Sequence, residues 1–151
     1  WQEPRVVGHS EYLHTGIDYS LPYDAEILAT GGGKVIFTRW YGNYGNTIIV
    51  DHGVWWQTYD KSTGEYRTPY RSEKVIPEEG KGRWVWVTSY YTHFNEILVR
   101  KGDRVKRGDV LGLAGATGRA TGTHVHYEVR INDKAVWPGT FNNERIYKKI
   151  I

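Results

Sequence analysis

Short apolar runs, separated by glycine and proline, organise this chain, and the runs are rich in β-branched and aromatic residues, the pattern of strands. Strands are expected at 25–29, 34–40, 47–50, 84–91, 97–99, 110–114, 125–131 and 135–137. No window of roughly a dozen residues keeps the apolar recurrence of a helix without a glycine interrupting it, so helices are expected to be short. The expected class is all-β.

Two stretches depart from this rhythm. Between about 54 and 83 the chain turns polar and charged with aromatics interleaved (Trp55, Trp56, Tyr59, Tyr66, Tyr70), and Gly64, Pro69, Pro77, Gly80 and Gly82 break any alternation. It is expected to form a long inserted loop, and structureless loops beyond about 12–15 residues are uncommon and often functional. The second stretch carries Gly112, Gly115, Gly118 and Gly122 just ahead of a histidine pair, a composition suited to tight turns and close backbone approach.

The histidines supply the candidate chemistry. In Thr123-His124-Val125-His126-Tyr127-Glu128 the period of two puts His124, His126 and Glu128 on one strand face, with the two imidazoles about 6.6 Å apart at Cα. One of them could bind a metal at roughly 2.0–2.1 Å while the other stands beside a bound water. Spacing does not say which, and a solvated strand face is the plain alternative. Glu128 is open in the same way, as a partner orienting a ligand or as a solvated carboxylate.

His14 and Asp18 form a second pair. On a straight strand they would lie about 13 Å apart, too far to share an ion, so a bend at Gly16 is required. A helix would suffer from Gly16 and from the β-branched Thr15 and Ile17. His93, in Tyr91-Thr92-His93-Phe94, reads alone as a core or surface residue, as does His9, and His52 in Asp51-His52-Gly53 reads as a turn or hydrogen-bonding residue at a strand end.

Composition narrows the chemistry. The 151 residues suit one domain, with no cysteine, so any transition-metal site must be built from His, Asp or Glu. The net charge of +3 comes from scattered cations and implies no more than a mild preference for anionic surroundings. The 7 Trp and 12 Tyr exceed what a core of this size needs, and some are expected to face a ligand or groove. No apolar run approaches the roughly 18 residues of a membrane span. Because the first residue is Trp and not Met, the sequence is expected to be a fragment or processed form.

Taken together, these segments resemble the lysostaphin/LytM-type zinc endopeptidases, peptidoglycan hydrolases. The resemblance is carried by His14-Thr15-Gly16-Ile17-Asp18-Tyr19, Tyr44-Gly45-Asn46-Thr47-Ile48-Ile49-Val50-Asp51-His52-Gly53, Tyr91-Thr92-His93-Phe94 and Gly115-Ala116-Thr117-Gly118 through His124-Val125-His126-Tyr127-Glu128, with residues 99–112 similar to the hairpin that leads to the glycine-rich loop. It implies antiparallel sheets forming an open groove in a single domain over 1–151, with the insert at about 54–83. It further implies Zn2+ held by His14, Asp18 and His126, with His93 and His124 flanking the water and the scissile carbonyl as catalytic residues. The implied function is a zinc-dependent endopeptidase acting on peptide cross-links or stem peptides of bacterial peptidoglycan. The alternative is a catalytically silent peptidoglycan-binding or regulatory scaffold of the same fold. A monomer is expected, in the bacterial envelope, secreted, or on a phage virion.

Other classes fit less well. No H-E-x-x-H stretch is present, which excludes a thermolysin-like arrangement with Glu as base. Asp133-Lys134-Ala135 matches the lysine motif of lipoyl carriers, but it follows the glycine-rich segment where a carrier's lysine precedes it, so it reads as a hairpin turn. No nucleic-acid-binding motif accompanies the mild basicity.

Overall fold

A computed structural model of the chain describes residues 8–9, 12–13, 16–67, 69, 81–136 and 138. In chain order the strands are β1 (Gly8–His9), β2 (Tyr12–Leu13), β3 (Ile17–Ser20), β4 (Glu26–Leu28), β5 (Gly33–Trp40), β6 (Asn46–Asp60), β7 (Glu65–Tyr66), β8 (Gly82–Tyr91), β9 (Phe94–Ile97), β10 (Arg104–Val105), β11 (Val110–Ala114), β12 (His124–Ile131) and β13 (Lys134–Val136). The helical content among these residues is a single 3-10 turn at Gly42–Tyr44. The all-β expectation holds, and all pairings are antiparallel.

The large sheet runs β10-β5-β6-β8-β12-β13, with β3 on the other stretch of β12 and β7 on β6, and a second sheet runs β4-β11-β9. Strand alternation assigns the two faces of the large sheet. Val85, Val87 and Tyr91 of β8, with Val125, Tyr127, Val129 and Ile131 of β12, join Ile27, Leu111, Ala114 and Phe94 of the second sheet in one core cluster. Burying each Val, Leu, Ile or Phe contributes about 1.5–3 kcal/mol, enough to hold the two sheets together. Tyr91 and Tyr127 are also buried there, and their hydroxyls are satisfied by Thr30 Oγ1 at 2.9 and 2.8 Å. The opposite face carries His126, Glu128 and Arg130 on β12, level with Tyr90 on β8 and Ile49 on β6 through the pairs Glu128↔Tyr90 and Ile49↔Tyr90.

The stretch expected as a loop begins and ends as sheet. β6 continues through to Asp60 and pairs with β8 from Val54↔Trp86 to Thr58↔Gly82. The expected turn at Asp51-His52-Gly53 is a β-bulge inside β6, where the register shifts between Asp51 and Val54 and Gly53 takes φ 83°. A glycine there reads equally as strand end or bulge, and the Val, Trp and Thr residues that follow favour strand. His52 is hydrogen-bonded as expected, with Nδ1 2.8 Å from Gly32 O and Nε2 2.6 Å from Ser89 Oγ. The strand expected at 97–99 lies earlier, at Phe94–Ile97. Asn132 and Asp133, both at positive φ, make the hairpin turn between β12 and β13. The interior of the insert at 70–80 and Trp137 lie outside the described residues.

Gly16 brings β3 against β12. A Cβ at this position would stand 2.0 Å from the backbone oxygen of Tyr127, so no side chain fits unless the strands separate. Gly16 itself is a bend leading into β3, and close approach adds a second reason for glycine here. Gly16→Ala is expected to cost about 1–3 kcal/mol, the usual penalty of overpacking. At about 2–4 °C per kcal/mol for a domain of this size, thermal unfolding should show a drop of several degrees. An unchanged melting temperature would contradict the tight β3–β12 approach.

Candidate metal centre and flanking histidines

The pairing Asp18↔His126 sets a carboxylate beside an imidazole on the face of β3 and β12 turned away from the core cluster. Asp18 Oδ1 lies 2.9 Å from His126 Nδ1. The other nitrogen, Nε2, lies 2.8 Å from Glu128 Oε2. Thr92 clamps the same residue by its backbone: its Oγ1 donates to His126 O at 2.9 Å and accepts from His126 N at 3.2 Å. Burial opposes a positive charge on His126, but the Asp18 and Glu128 carboxylates outweigh it and hold its pKa above the ordinary histidine value.

His93 and His124 are held the opposite way round. His93 Nδ1 donates to Thr117 O at 2.6 Å, and His124 Nδ1 donates to Gly122 O at 2.8 Å. A carbonyl oxygen can only accept, so each ring carries its proton on Nδ1 and keeps Nε2 as an acceptor. The rings stand 4.6 Å apart by centroid, and His124 Nε2 is 3.8 Å from Asp18 Oδ1. His93 is buried, which pushes its pKa down to about 4 with further help from the neighbouring His124 and His126, so it is neutral near pH 7. Its backbone sits in the left-handed region at φ 60°, a conformation that costs a non-glycine residue about 1–3 kcal/mol. The His93 N–H to Tyr44 O bond at 2.8 Å helps to hold it there.

Of the five residues expected at the site, the structure brings Asp18, His93, His124 and His126 together, and His14 lies outside the described residues. Among the described residues no group of three metal-binding side chains is complete. The described part of the donor set still fits zinc. It offers a carboxylate oxygen and an imidazole nitrogen side by side, 2.9 Å apart, in a chain without thiolates.

Two neighbours went unread in the sequence or were left open. Glu128, for which a solvated carboxylate was one alternative, is fully buried. Tyr44 donates its hydroxyl to Glu128 Oε2, and its ring lies tilted against the His126 ring at 5.4 Å. Its place in the segment 44–53 was visible, but nothing in the spacing points a residue of a Gly-Asn-Tyr-Gly turn at a strand 84 positions away.

The chain matches known proteins in sequence and in fold. Residues 12–67 and 63–138 match the model of peptidase family M23, the two segments overlapping inside the insert. The chain belongs to peptidase family M23. Within the family's relatives, the peptidoglycan DD-endopeptidase ShyB of Vibrio cholerae is 33% identical over 123 residues, covering 82% of this chain and 22% of ShyB. A crystallised zinc containing peptidase from Vibrio cholerae aligns with TM-score 0.59 and 32% identity, over 82% of this chain and 29% of that one. The catalytic domain of lysostaphin from Staphylococcus simulans shares the fold, with TM-score 0.61 at 22% identity over 90% of this chain and 84% of that domain. The chain therefore spans less than a quarter of the length of ShyB. The resemblance to lysostaphin/LytM-type peptidases read from the sequence is borne out.

Proposed function

We propose that the chain is a zinc-dependent endopeptidase that cuts peptide cross-links or stem peptides of bacterial peptidoglycan, with His14, Asp18 and His126 holding the metal and His93 and His124 catalysing proton transfer. The supporting observation is the opposite anchoring of the imidazoles: His126 is held through Nε2 and turns Nδ1 to Asp18, whereas His93 and His124 are held through Nδ1. A bound zinc ion would polarise the scissile carbonyl and lower the pKa of water towards neutrality. The chain's own residues do the rest. An acceptor Nε2 of His93 or His124 takes the proton that the attacking water loses, and the resulting imidazolium returns a proton to the amine nitrogen as the C–N bond breaks. The substrate puts the reaction outside the cytoplasm, in the envelope, in a secreted form or on a phage particle. Among the described residues no helix is long and apolar enough to cross a membrane.

Purified cell walls provide the test. Mass spectrometry of the soluble products should reveal muropeptides with newly formed amino and carboxyl termini, and a chelator should abolish their release. Wall binding without any such product would make the chain a scaffold instead, and the identity of the termini names the bond.

The insert has its own expected role. Trp84 and Trp86 are exposed, and they share a face of β8 with Tyr90, which is level with Glu128. The face of β8 that carries the buried Tyr90 therefore leads on to the exposed Trp86 and Trp84, about 20 Å from Tyr90 to Trp84 at about 3.4 Å per residue. Tyr59 and Tyr66 stack edge-on at 5.1 Å within the insert itself. A folded variant lacking roughly residues 58–81 is expected to keep zinc but to lose efficiency on intact peptidoglycan far more than on a short peptide. Equal losses on the two substrates would assign the insert to the fold or the catalytic centre.

A further inference from the structure

Glu128 is the one carboxylate at this site that no solvent reaches, at 0% exposure. Taking a carboxylate out of water costs several kcal/mol unless strong partners replace the water, and an apolar residue of similar size would fill the space without that cost. The partners are present. Oε2 accepts from His126 Nε2 at 2.8 Å and from the Tyr44 hydroxyl, and Oε1 accepts from Arg130 Nε at 3.0 Å. Arg130 is itself fixed, lying 4.0 Å over the Tyr90 ring with Nη1 3.3 Å from Asp133 Oδ1. Among the described residues no buried side-chain polar atom lacks a partner.

The geometry carries a consequence for His126. A carboxylate only accepts, so the hydrogen between Glu128 and His126 belongs to Nε2, and in the neutral ring Nδ1 carries the lone pair. Nδ1 and Asp18 Oδ1 are then two acceptors 2.9 Å apart, an arrangement that is favourable only with a proton or a cation between them. Tyr44 ties this centre to the catalytic side, because its hydroxyl meets Glu128 while its carbonyl accepts from the His93 N–H at 2.8 Å.

We propose that Glu128, held by Tyr44 and Arg130, is a positioning residue that fixes the tautomer and orientation of His126 so that Nδ1 presents its lone pair to the metal. This rests on the reading of His126 as a ligand. Outer partners of ligating histidines typically contribute 10–100-fold in metal affinity, and Glu128 is expected to act in that range.

Zinc affinity, measured by competition against a chromogenic chelator, provides a readout independent of turnover. It is compared among the wild type, Glu128→Gln, Glu128→Ala and His126→Ala, with thermal unfolding of each metal-free protein alongside. Affinity should fall about 10–100-fold in Glu128→Ala, and less in Glu128→Gln, which retains an acceptor oxygen, with both metal-free proteins still folded at the temperature of the titration. Nitrogen-15 NMR of the zinc-loaded wild type should find the His126 proton on Nε2. Affinity within twofold of wild type in both Glu128 variants, or loss that tracks unfolding of the metal-free proteins, overturns the proposal. If Glu128→Ala does not fold, Glu128→Gln decides by the same criteria. Wild-type zinc affinity in His126→Ala would instead mean that the ligand assignment itself has failed.

Discussion

His126→Ala should emerge from purification without zinc and without peptidase activity, and so should His14→Ala and Asp18→Ala. Three protein ligands are the minimum of a catalytic zinc site that keeps a position for water, and removing one leaves too few donors to retain the ion. The loss should exceed the 10–100-fold that follows from deleting an outer partner. His126 is the most informative of the three, because it is nearly buried, paired to Asp18 at 2.9 Å and clamped at both backbone groups by Thr92. Metal analysis and turnover should fall together, while a chelator should inactivate the wild type reversibly on zinc return. Full zinc occupancy in folded His126→Ala would sink the assignment.

Much of this centre was legible because a strand has a period of two. The alternation of residues 124–129 put His124, His126 and Glu128 on one face, and the register confirms it by pairing His126 with Asp18 and Glu128 with Tyr90. What the period cannot encode is which ring nitrogen is held. That is decided by the Gly122 and Thr117 carbonyls and by Glu128, and these contacts depend on how the glycine-rich loop and the 42–45 turn fold onto the sheet. The two loops pack closely: a Cβ on Gly45 would come within 2.5 Å of the Thr117 carbonyl oxygen.

The errors in the fold also have local causes. Gly53 was read as ending a strand and instead bulges within one, since a glycine at positive φ serves both purposes. Strand β3 was missed because Gly16 and the mixed Ile17-Asp18-Tyr19-Ser20 run give little hydrophobic signal. Its buried Ile17 and Tyr19 alternate with the site-facing Asp18, and the pairing to β12 completes the strand. Two-residue β10 is set by its partner Gly33-Lys34 on β5, a contact without a local signature.

Separating ligands from catalysts gives the second large effect. His93→Ala and His124→Ala should each bind zinc as the wild type does, yet lose about 10²–10⁴ in turnover, the usual contribution of a positioned acid or base. Both side chains reach the site through Nε2 while their Nδ1 protons are committed to backbone carbonyls, so neither needs the metal to be held in place. His93, with its pKa held down to about 4, gives up a proton readily, which suits delivery to the leaving amine of the proton that His124 takes from water and relays across the 4.6 Å between the two ring centroids. His124 Nε2 lies 3.8 Å from Asp18 Oδ1, beside a proposed ligand, which places it to take the proton from the attacking water. The two substitutions should therefore differ in kind. With an ester in place of the amide, whose leaving group needs less protonation, His93→Ala should recover much of its lost rate and His124→Ala should not. If instead either variant stays within a few-fold of wild type on the amide, that residue leaves the mechanism. Equal recovery of both on the ester would mean that the histidines share the two proton transfers.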